Sequence, residues 1–390
     1  MNKKYQLISM AEAAARGLKA PDGSSLVLAS PLLPPTKLNI PAIRFGHLDP
    51  AAIGPLRESP PAWSAGRELQ IRPLYSFVVQ NAVVHTRWGI ITAGEYLFRD
   101  TLYHVPLHLI PETGDTGDGG FNLIDLPVTG KYNGAIHLLT GELNNYYHWL
   151  MDLVARIEPE SYGRNLKFPC LPGPLLVPGA WRDLQPSPPH EYQTASLDLL
   201  LHPNATRRGM SPPECVFVKY LNYMPRAGGA FDPNPSVLAI FDELRRAVLG
   251  DQPRPGNNRK LYLSRREVTG RRMTNEPAII EMVQAAGYEI VNPGALSFAD
   301  QITLFDHASH IIAPHGAALT NILFCRPGTV VCELHMDSYV QWAMRCLAAL
   351  RQLDYGCLIG HANEPWQKWP HVNSWTCPVE ELREILKAQG

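Results

Sequence analysis

The 390-residue sequence lacks the usual signs of a membrane, nucleic-acid-binding or disulfide-bonded protein. Its formal net charge is −1, so no overall basic field attracts nucleic acid or anionic lipid. No apolar run reaches the length of a signal peptide or a membrane span. The seven cysteines are scattered and form no C-x-x-C pair, which indicates reduced structural thiols. We therefore predict a cytoplasmic protein with no nucleic-acid partner, and we leave open peripheral contact with the inner membrane through a small surface patch.

Several familiar catalytic motifs are also absent. No G-x-x-x-x-G-K-[ST], H-E-x-x-H or G-x-S-x-G segment occurs, which argues against a P-loop nucleotidase, a zincin protease and a nucleophile-elbow hydrolase. Most histidines, His335 among them, lack the spacing of metal ligands, so they are interpreted as ordinary core or surface residues and no metal site is predicted.

What the sequence does contain is a long alternation of strand and helix patterns. Residues 70–130 show short apolar runs separated by Gly and Asp, which predict strands and hairpins. From residue 134 onward, strands alternate with helices over short links, which predicts parallel, doubly wound sheets. A Gly- and Pro-rich break at 227–235 is the predicted linker. The expected domains are therefore 1–230 and 231–355, followed by a tail at 356–390.

The most informative segment is 311–321, where an apolar strand pattern runs into His315-Gly316 and then into a helix. Free N–H groups and the helix dipole at such a junction favour anions, and Gly316 leaves room for a ligand to approach. The polar side chains of Thr320 and Asn321 follow on the next turn. This segment predicts a site for a nucleotide diphosphate.

A basic loop at 264–276 leaves one strand and enters the next helix at the same predicted sheet edge. It holds four arginines, and a guanidinium has the planar donor fork that suits phosphate. Asn275 or Thr274 is expected to cap the helix that follows. The alternative for this segment is an ordinary solvated charged loop.

Two further features carry carboxylates. His148, Asp152 and Arg156 are spaced by four, so a helix places them on one face, where a His–Asp pair could act as a general base. Glu333 ends a predicted strand, where a carboxylate commonly accepts hydrogen bonds from ribose. The alternatives are a surface ion pair for the first and a solvent-facing strand-end Glu for the second.

Taken in order, these pieces resemble glycosyltransferase family 61, which is linked to capsular polysaccharide synthesis in bacteria. The resemblance covers about residues 130–340 and departs from the family pattern at Ala318, where a second Gly is common. The pieces are Asn145-x-x-His148-Trp149-x-x-Asp152, Ser264-Arg265-Arg266, Arg271 or Arg272, Asn275-Glu276, Phe298-x-x-Gln301, Pro314-His315-Gly316-Ala317-x-Leu319-Thr320-Asn321, Pro327-Gly328 and Glu333.

The resemblance implies a GT-B fold, in which two Rossmann-like domains face across a cleft, here with extra N-terminal β elements. It implies an inverting transfer of sugar from a nucleotide-sugar, by family habit a UDP-sugar, to a glycan hydroxyl in bacterial-type polysaccharide biosynthesis. The domain at 1–230 would bind an oligo- or polysaccharide acceptor and 231–355 the donor. The tail at 356–390 would pack back on the first domain.

The resemblance also implies roles for individual residues. Asp152 or His148 would be the base, and Glu333 would hold the ribose. No cofactor other than the donor is expected, and the Arg-rich loop predicts metal independence. The remaining donor-binding residues would be Arg265, Arg271, Asn275, His315, Gly316, Ala317, Thr320 and Asn321.

Other functions compete with this interpretation. An acyltransferase could use His148-x-x-x-Asp152 as its base, although Tyr147 and Leu153 stand where such enzymes have a second His and a Gly. A non-catalytic nucleotide-sugar-binding component of a polysaccharide assembly complex would keep 311–321 and the Arg loop without needing Asp152. An epimerase or phosphorylase could share the architecture, because fold does not fix function.

Overall fold

The computed structural model describes residues 2–46, 65–85, 88–103, 105, 107, 113–139, 144–157, 173–179, 181–182, 185–201, 203–211, 214–226, 232–251, 256–364 and 372–389. The chain divides into two compact units. The first comprises Met1–Pro35 and Arg72–Ala227, and the second comprises Thr36–Ile71 and Gly228–Gly390. Residues 227–231 of the predicted linker lie outside the described residues.

The strands are numbered β1 to β21 in chain order. They are Asn2–Ile8, Val27–Leu33, Thr36–Ile40, Arg67–Ile71, Leu74–His85, Ile90–Ala93, Tyr96–Phe98, Gly114–Asp115, Gly120–Ile124, Val128–His137, Leu175–Pro178, Trp181–Arg182, Gln185–Pro186, Arg207–Met210, Cys215–Tyr223, Arg259–Leu263, Glu289–Val291, Ala308–Pro314, Val330–Met336, Asp354–Ala362 and Trp375–Thr376.

The helices are numbered α1 to α8. They are Met10–Ala15 (α1), Tyr146–Arg156 (α2, built from an α, a π and a 3-10 piece), Glu191–Leu200 (α3), Val237–Leu249 (α4), Glu276–Ala285 (α5), Phe298–Asp306 (α6), Ala343–Leu350 (α7) and Val379–Gln389 (α8). Further 3-10 turns span Arg99–Thr101, Pro293–Ala295 and Ala317–Phe324. None of the described helices has the length and hydropathy needed to cross a bilayer.

The first unit is built on one mixed sheet of eleven strands. Its parallel part runs β14-β11-β10-β15, so the first strand of this block lies between the second and the fourth. This third-second-first-fourth order is that of half a doubly wound nucleotide-binding sheet. The order reverses between β10 and β15, and ligands bind such sheets at the carboxyl ends of the strands flanking the reversal.

The antiparallel part of the first unit confirms the strands predicted for residues 70–130. Strand β5 pairs with β15, β6 and β2, and so joins the parallel block to the N-terminal strands. Inward-facing apolar residues of β5 and β15, such as Val79, Val84 and Leu221, form its core with the apolar face of α1. Alternation of buried and exposed side chains explains the strand formation, since one face of the sheet must be covered.

The second unit contains a parallel sheet with the order β17-β16-β18-β19-β20, and β21 adds antiparallel to its edge. Numbered along this block, the order is second-first-third-fourth-fifth, the other common doubly wound arrangement. It reverses between β16 and β18. The basic loop follows β16 and His315 follows β18, so topology brings both to the reversal point.

The structure differs from the expected domains in two places. The β3–β4 hairpin belongs to the second unit, although the sequence placed it in the first domain. The described tail residues belong to the second unit, where Leu382 and Ile385 of α8 join the core with Ile279 and Val283 of α5. An amphipathic pattern predicts that a helix covers a core, but it does not specify which core.

The six cysteines in the described part of the chain are buried free thiols, in agreement with the predicted structural role. They are Cys215, Cys325, Cys332, Cys346, Cys357 and Cys377. Burial raises the pKa of Cys377 to about 12, which keeps this thiol protonated and unreactive.

Two glycines with left-handed backbone provide a matched test of packing. Gly89 has φ of +71°, and a methyl group on it would lie 2.4 Å from His137 Nε2 and from Leu139 Cβ. Gly94 has φ of +59° with open space around it. We expect Gly94→Ala to cost about 1–2 kcal/mol of unfolding free energy through backbone strain. Gly89→Ala should cost about 1–3 kcal/mol more through overpacking. Urea unfolding measures both, and equal losses would contradict the packing argument.

Candidate functional site

Helix α2 presents the predicted His–Asp pair in the first unit. The Asn145 side chain caps the helix by accepting from the N–H groups of Tyr147 and His148. His148 Nδ1 lies 2.6 Å from Asp152 Oδ2. Asp152 sits in the π-helical piece Trp149–Leu153, a geometry that often marks functional positions. Asp152 is nearly fully buried, and the His148 side chain is 19% exposed.

Arg226, which the sequence analysis missed, completes this group. It follows β15, and its Nη1 lies 3.2 Å from Asp152 Oδ1. Its guanidinium also stacks on the Tyr103 ring, 3.2 Å from the ring centre. Asp152 therefore has one oxygen on His148 and the other on Arg226. The group lies at the carboxyl side of β10 and β15, where the strand order reverses.

Arg156 does not serve the polar face on which its spacing placed it. It is buried and donates to three main-chain carbonyls, those of Met224, Leu139 and His137. His137 in turn contacts the Gly89 carbonyl through Nε2 at 2.7 Å. Because α2 contains a π and a 3-10 piece, Arg156 does not follow the regular four-residue repeat. Its main-chain hydrogen bonds support the site from the interior.

In the second unit, two guanidiniums meet at the junction after β18. Gly316 adopts extended backbone, and a methyl group on it would lie 2.2 Å from Arg265 Nη1 and 3.9 Å from Arg271 Nη2. The glycine therefore makes room for the arginines as well as for a ligand. His315 donates its main-chain N–H to the Leu334 carbonyl, and the helical turn Ala317–Phe324 begins directly after Gly316.

The carboxylates nearest these two arginines act on them through their charge without an ion pair in the described chain: Glu276 on Arg265 and Glu333 on Arg271. Among the described residues, neither Arg265 nor Arg271 forms an ion pair, and the Nε atom of each is buried without a partner. Burial, together with Arg271, lowers the pKa of Arg265 to about 10. Burial also lowers the pKa of Arg271. Two partly desolvated like charges at one junction favour binding of an anion.

Glu276 organises the loop that carries Arg265. Its Oε1 accepts hydrogen bonds from the Tyr262 hydroxyl, the Ser264 hydroxyl and the Arg265 main-chain N–H at 3.0–3.2 Å. The sequence analysis names Glu276 only as part of the family pattern. The structure shows that this buried carboxylate fixes the start of the basic loop.

Glu333, for which the resemblance implies a role in holding the ribose, lies behind His315. It is fully buried, with Oε1 2.5 Å from His315 Nδ1 and Oε2 2.5 Å from the Tyr355 hydroxyl. His335 Nε2 lies 3.3 Å from the same Oε2. Burial would raise the pKa of Glu333, but His335 and His315 hold it well below its ordinary value. Glu333 therefore orients the His315 ring.

His315, Glu333 and His335 also form the one set in the described chain whose side chains could hold a metal ion. Their ligand atoms lie within 4.8 Å of one another. The sequence analysis had dismissed His335, although Glu333 and His335 are two apart on one strand and so share a face. The 2.5 Å contact between His315 and Glu333 is a direct charge-assisted hydrogen bond.

The remaining predicted donor-binding residues have different surroundings. Asn321 is fully buried and donates to Gln301 Oε1, and the Thr320 hydroxyl is buried without a partner in the described chain. The Asn275 amide bonds both the N–H and the carbonyl of Cys377, so it does not cap α5 with its side chain. The side chains of Asn321 and Asn275 thus make hydrogen bonds within the protein. Ala317 lies half-buried in the first turn of Ala317–Phe324.

Comparison with known proteins finds a family match for part of the chain. The family model described as Glycosyltransferase 61 matches residues 146–332, from the start of α2 into β19. Residues 146–332 belong to glycosyltransferase family 61. The matched segment of the chain contains His148, Asp152, the basic loop and the His315 junction. The resemblance seen in the sequence is therefore confirmed.

One curated relative has a named activity. The chain is 26% identical over 170 residues to beta-1,2-xylosyltransferase RCN11 of Oryza sativa subsp. japonica. The alignment covers 40% of this chain and 30% of the relative, so the chain spans less than a third of the relative's length.

Two buried histidines of the first unit predict a pH-dependent stability. Burial lowers the pKa of His85 to about 4, and burial with Arg156 lowers that of His137 to about 3. Unfolding restores ordinary values near 6.5, so their contribution is complete above pH 6.5 and is lost as the pH falls toward 4 and 3. From pH 7 to pH 5 each should cost about 2 kcal/mol.

Urea unfolding between pH 7 and pH 5 measures this loss in the wild type, in His85→Gln and in His361→Gln, an exposed control. The His85 variant should show a shallower decline, and the control should match the wild type. A His85 variant with the full wild-type slope would contradict the assignment.

Proposed function

We propose that this chain is an inverting glycosyltransferase that moves a sugar from a nucleotide-sugar to a glycan hydroxyl. The proposal takes the second unit as the donor-binding part and the first as the part that activates the acceptor. Membership of residues 146–332 in glycosyltransferase family 61 supports the reaction class, as does the xylosyltransferase relative.

The observation that carries the proposal is the pair of arginines at Gly316. Arg265 and Arg271 bring two partly buried positive charges to the start of a helical turn, at the point where the strand order reverses. The diphosphate of a bound nucleotide-sugar carries two negative charges that would balance them, and it gains further negative charge as it departs. Glu333 orients the His315 ring at the same junction through Nδ1.

The surroundings of Asp152 favour His148 as the base. Both Asp152 oxygens are engaged, one by His148 and the other by Arg226. Asp152 therefore orients the imidazole through Nδ1, which leaves Nε2 as the nitrogen that takes the proton from the acceptor hydroxyl. The acceptor oxygen forms its bond to the anomeric carbon as the bond to the diphosphate oxygen breaks, and the nucleoside diphosphate leaves.

The finer parts of the proposal come from the family resemblance and the relative. They are a GT-B fold, a UDP-sugar donor, turnover without a metal ion, and a role in bacterial-type polysaccharide biosynthesis in the cytoplasm. The name of the rice relative makes UDP-xylose the first donor to test.

Donor binding provides the first test. We expect Arg265→Ala and Arg271→Ala to weaken binding of UDP at least about tenfold, because each removes a charge-assisted contact. Thermal midpoints should stay equal or rise, since one of two crowded like charges is gone. Arg266→Ala and Arg272→Ala are matched controls, because these exposed arginines belong to the same loop. Calorimetry with UDP, GDP and CMP measures the effect.

Loss of UDP affinity in the two control variants as large as in Arg265→Ala would point to general charge attraction and would contradict the site. If none of the three nucleotides binds, the transferase proposal is overturned. An acyltransferase would then be tested with acyl donors.

Turnover provides the second test, with UDP-xylose and other UDP-sugars on glycan acceptors in buffer containing EDTA. His148→Gln should lower kcat by about 100- to 10,000-fold and leave UDP affinity unchanged, because a general base acts on the acceptor. Asp152→Asn should lower kcat through the misplaced imidazole. Full activity of His148→Gln would remove the base assignment. UDP binding with no transfer to any acceptor would favour a non-catalytic binding component.

A further inference from the structure

The conformation of Arg271 is unusual for its residue type. Its φ is +54°, in the left-handed region that residues other than Gly rarely adopt. Such strain persists only where surrounding contacts fix the backbone, and it concentrates at functional sites. The Arg271 guanidinium lies over the Tyr339 ring, 5.0 Å from its centre, with Nη2 near Gly316.

The contacts that fix this backbone come from the short strand β21. The Trp375 main-chain N–H donates to the Arg272 carbonyl at 3.0 Å, and the Trp375 carbonyl accepts from the Thr274 N–H at 2.8 Å. The Asn275 side chain pairs with the main chain of Cys377. Strand β21 and the basic loop are thus joined along their length, although about a hundred residues separate them.

The Trp375 indole adds the contact closest to Arg271. Its Nε1–H donates to the Arg271 carbonyl at 3.0 Å. The ring is fully buried, and a methyl group on Gly360 would lie 2.8 Å from it, so the indole fits a slot with no spare room. The indole therefore fixes the peptide that follows the strained residue.

We propose that Trp375 is a positioning residue for the donor diphosphate. It acts through Arg271, by holding that residue's left-handed backbone so that the guanidinium reaches the Gly316 junction. Trp375 lies outside residues 146–332, so the segment matched by the family model does not include this contact. The inference rests on the proposed donor site, and it adds that the C-terminal strand sets the affinity of that site.

The variant that tests this is Trp375→Phe, which keeps an aromatic ring and removes the indole N–H. We expect the dissociation constant for UDP, and for inorganic pyrophosphate as a probe without a base, to rise about fivefold or more. Trp149→Phe is the matched control. That buried indole donates to Ser196 Oγ at 2.9 Å in the first unit, so its loss should change stability comparably without changing UDP affinity.

A double-mutant cycle separates positioning from general destabilisation. If Trp375 acts through Arg271, then Trp375→Phe in an Arg271→Ala background should not weaken UDP binding further. Additive losses, or wild-type affinity in Trp375→Phe, would overturn the inference while the wild type still binds UDP. Failure of the wild type itself to bind UDP and pyrophosphate would instead overturn the proposed function.

Discussion

The second unit depends on one electrostatic constraint: two guanidiniums, those of Arg265 and Arg271, are held together and partly desolvated with no carboxylate pair in the described chain. Burial lowers the pKa of both, so the arrangement costs free energy in the absence of a ligand. Its direct contacts include neutral groups, namely the Gly270 carbonyl, the Tyr339 ring and the Gly316 backbone. The cost is offset when an anion enters.

Two carboxylates lie close to this junction, but their hydrogen bonds are made to groups other than the arginine side chains. Glu276 uses its carboxylate on hydroxyl and main-chain donors at the start of the basic loop. Glu333 uses both oxygens on His315 and Tyr355. In the described part of the chain, each acid therefore shapes the junction without pairing directly with the arginines.

In the first unit, by contrast, the charge of the buried Asp152 carboxylate is balanced within the protein. Asp152 is buried between His148 and Arg226, and both partners satisfy its oxygens. A balanced carboxylate suits a group that orients an imidazole, whereas an unbalanced pair of arginines suits a group that binds an anion. These are the two kinds of chemistry that the proposed displacement at an anomeric carbon requires.

The sequence by itself determined the features that depend on short spacing. The strand-to-helix junction at His315 and the four-residue spacing of His148 and Asp152 follow from local geometry, as does the alternation of strands and helices. Tertiary structure alone decided that Arg226 reaches Asp152 across 74 residues and that Trp375 reaches Arg271 across 104. It also turned Glu333 and Asn275 inward. Local periodicity fixes which side chains share a face of one element, but only the pairing order of strands decides which distant side chains meet there.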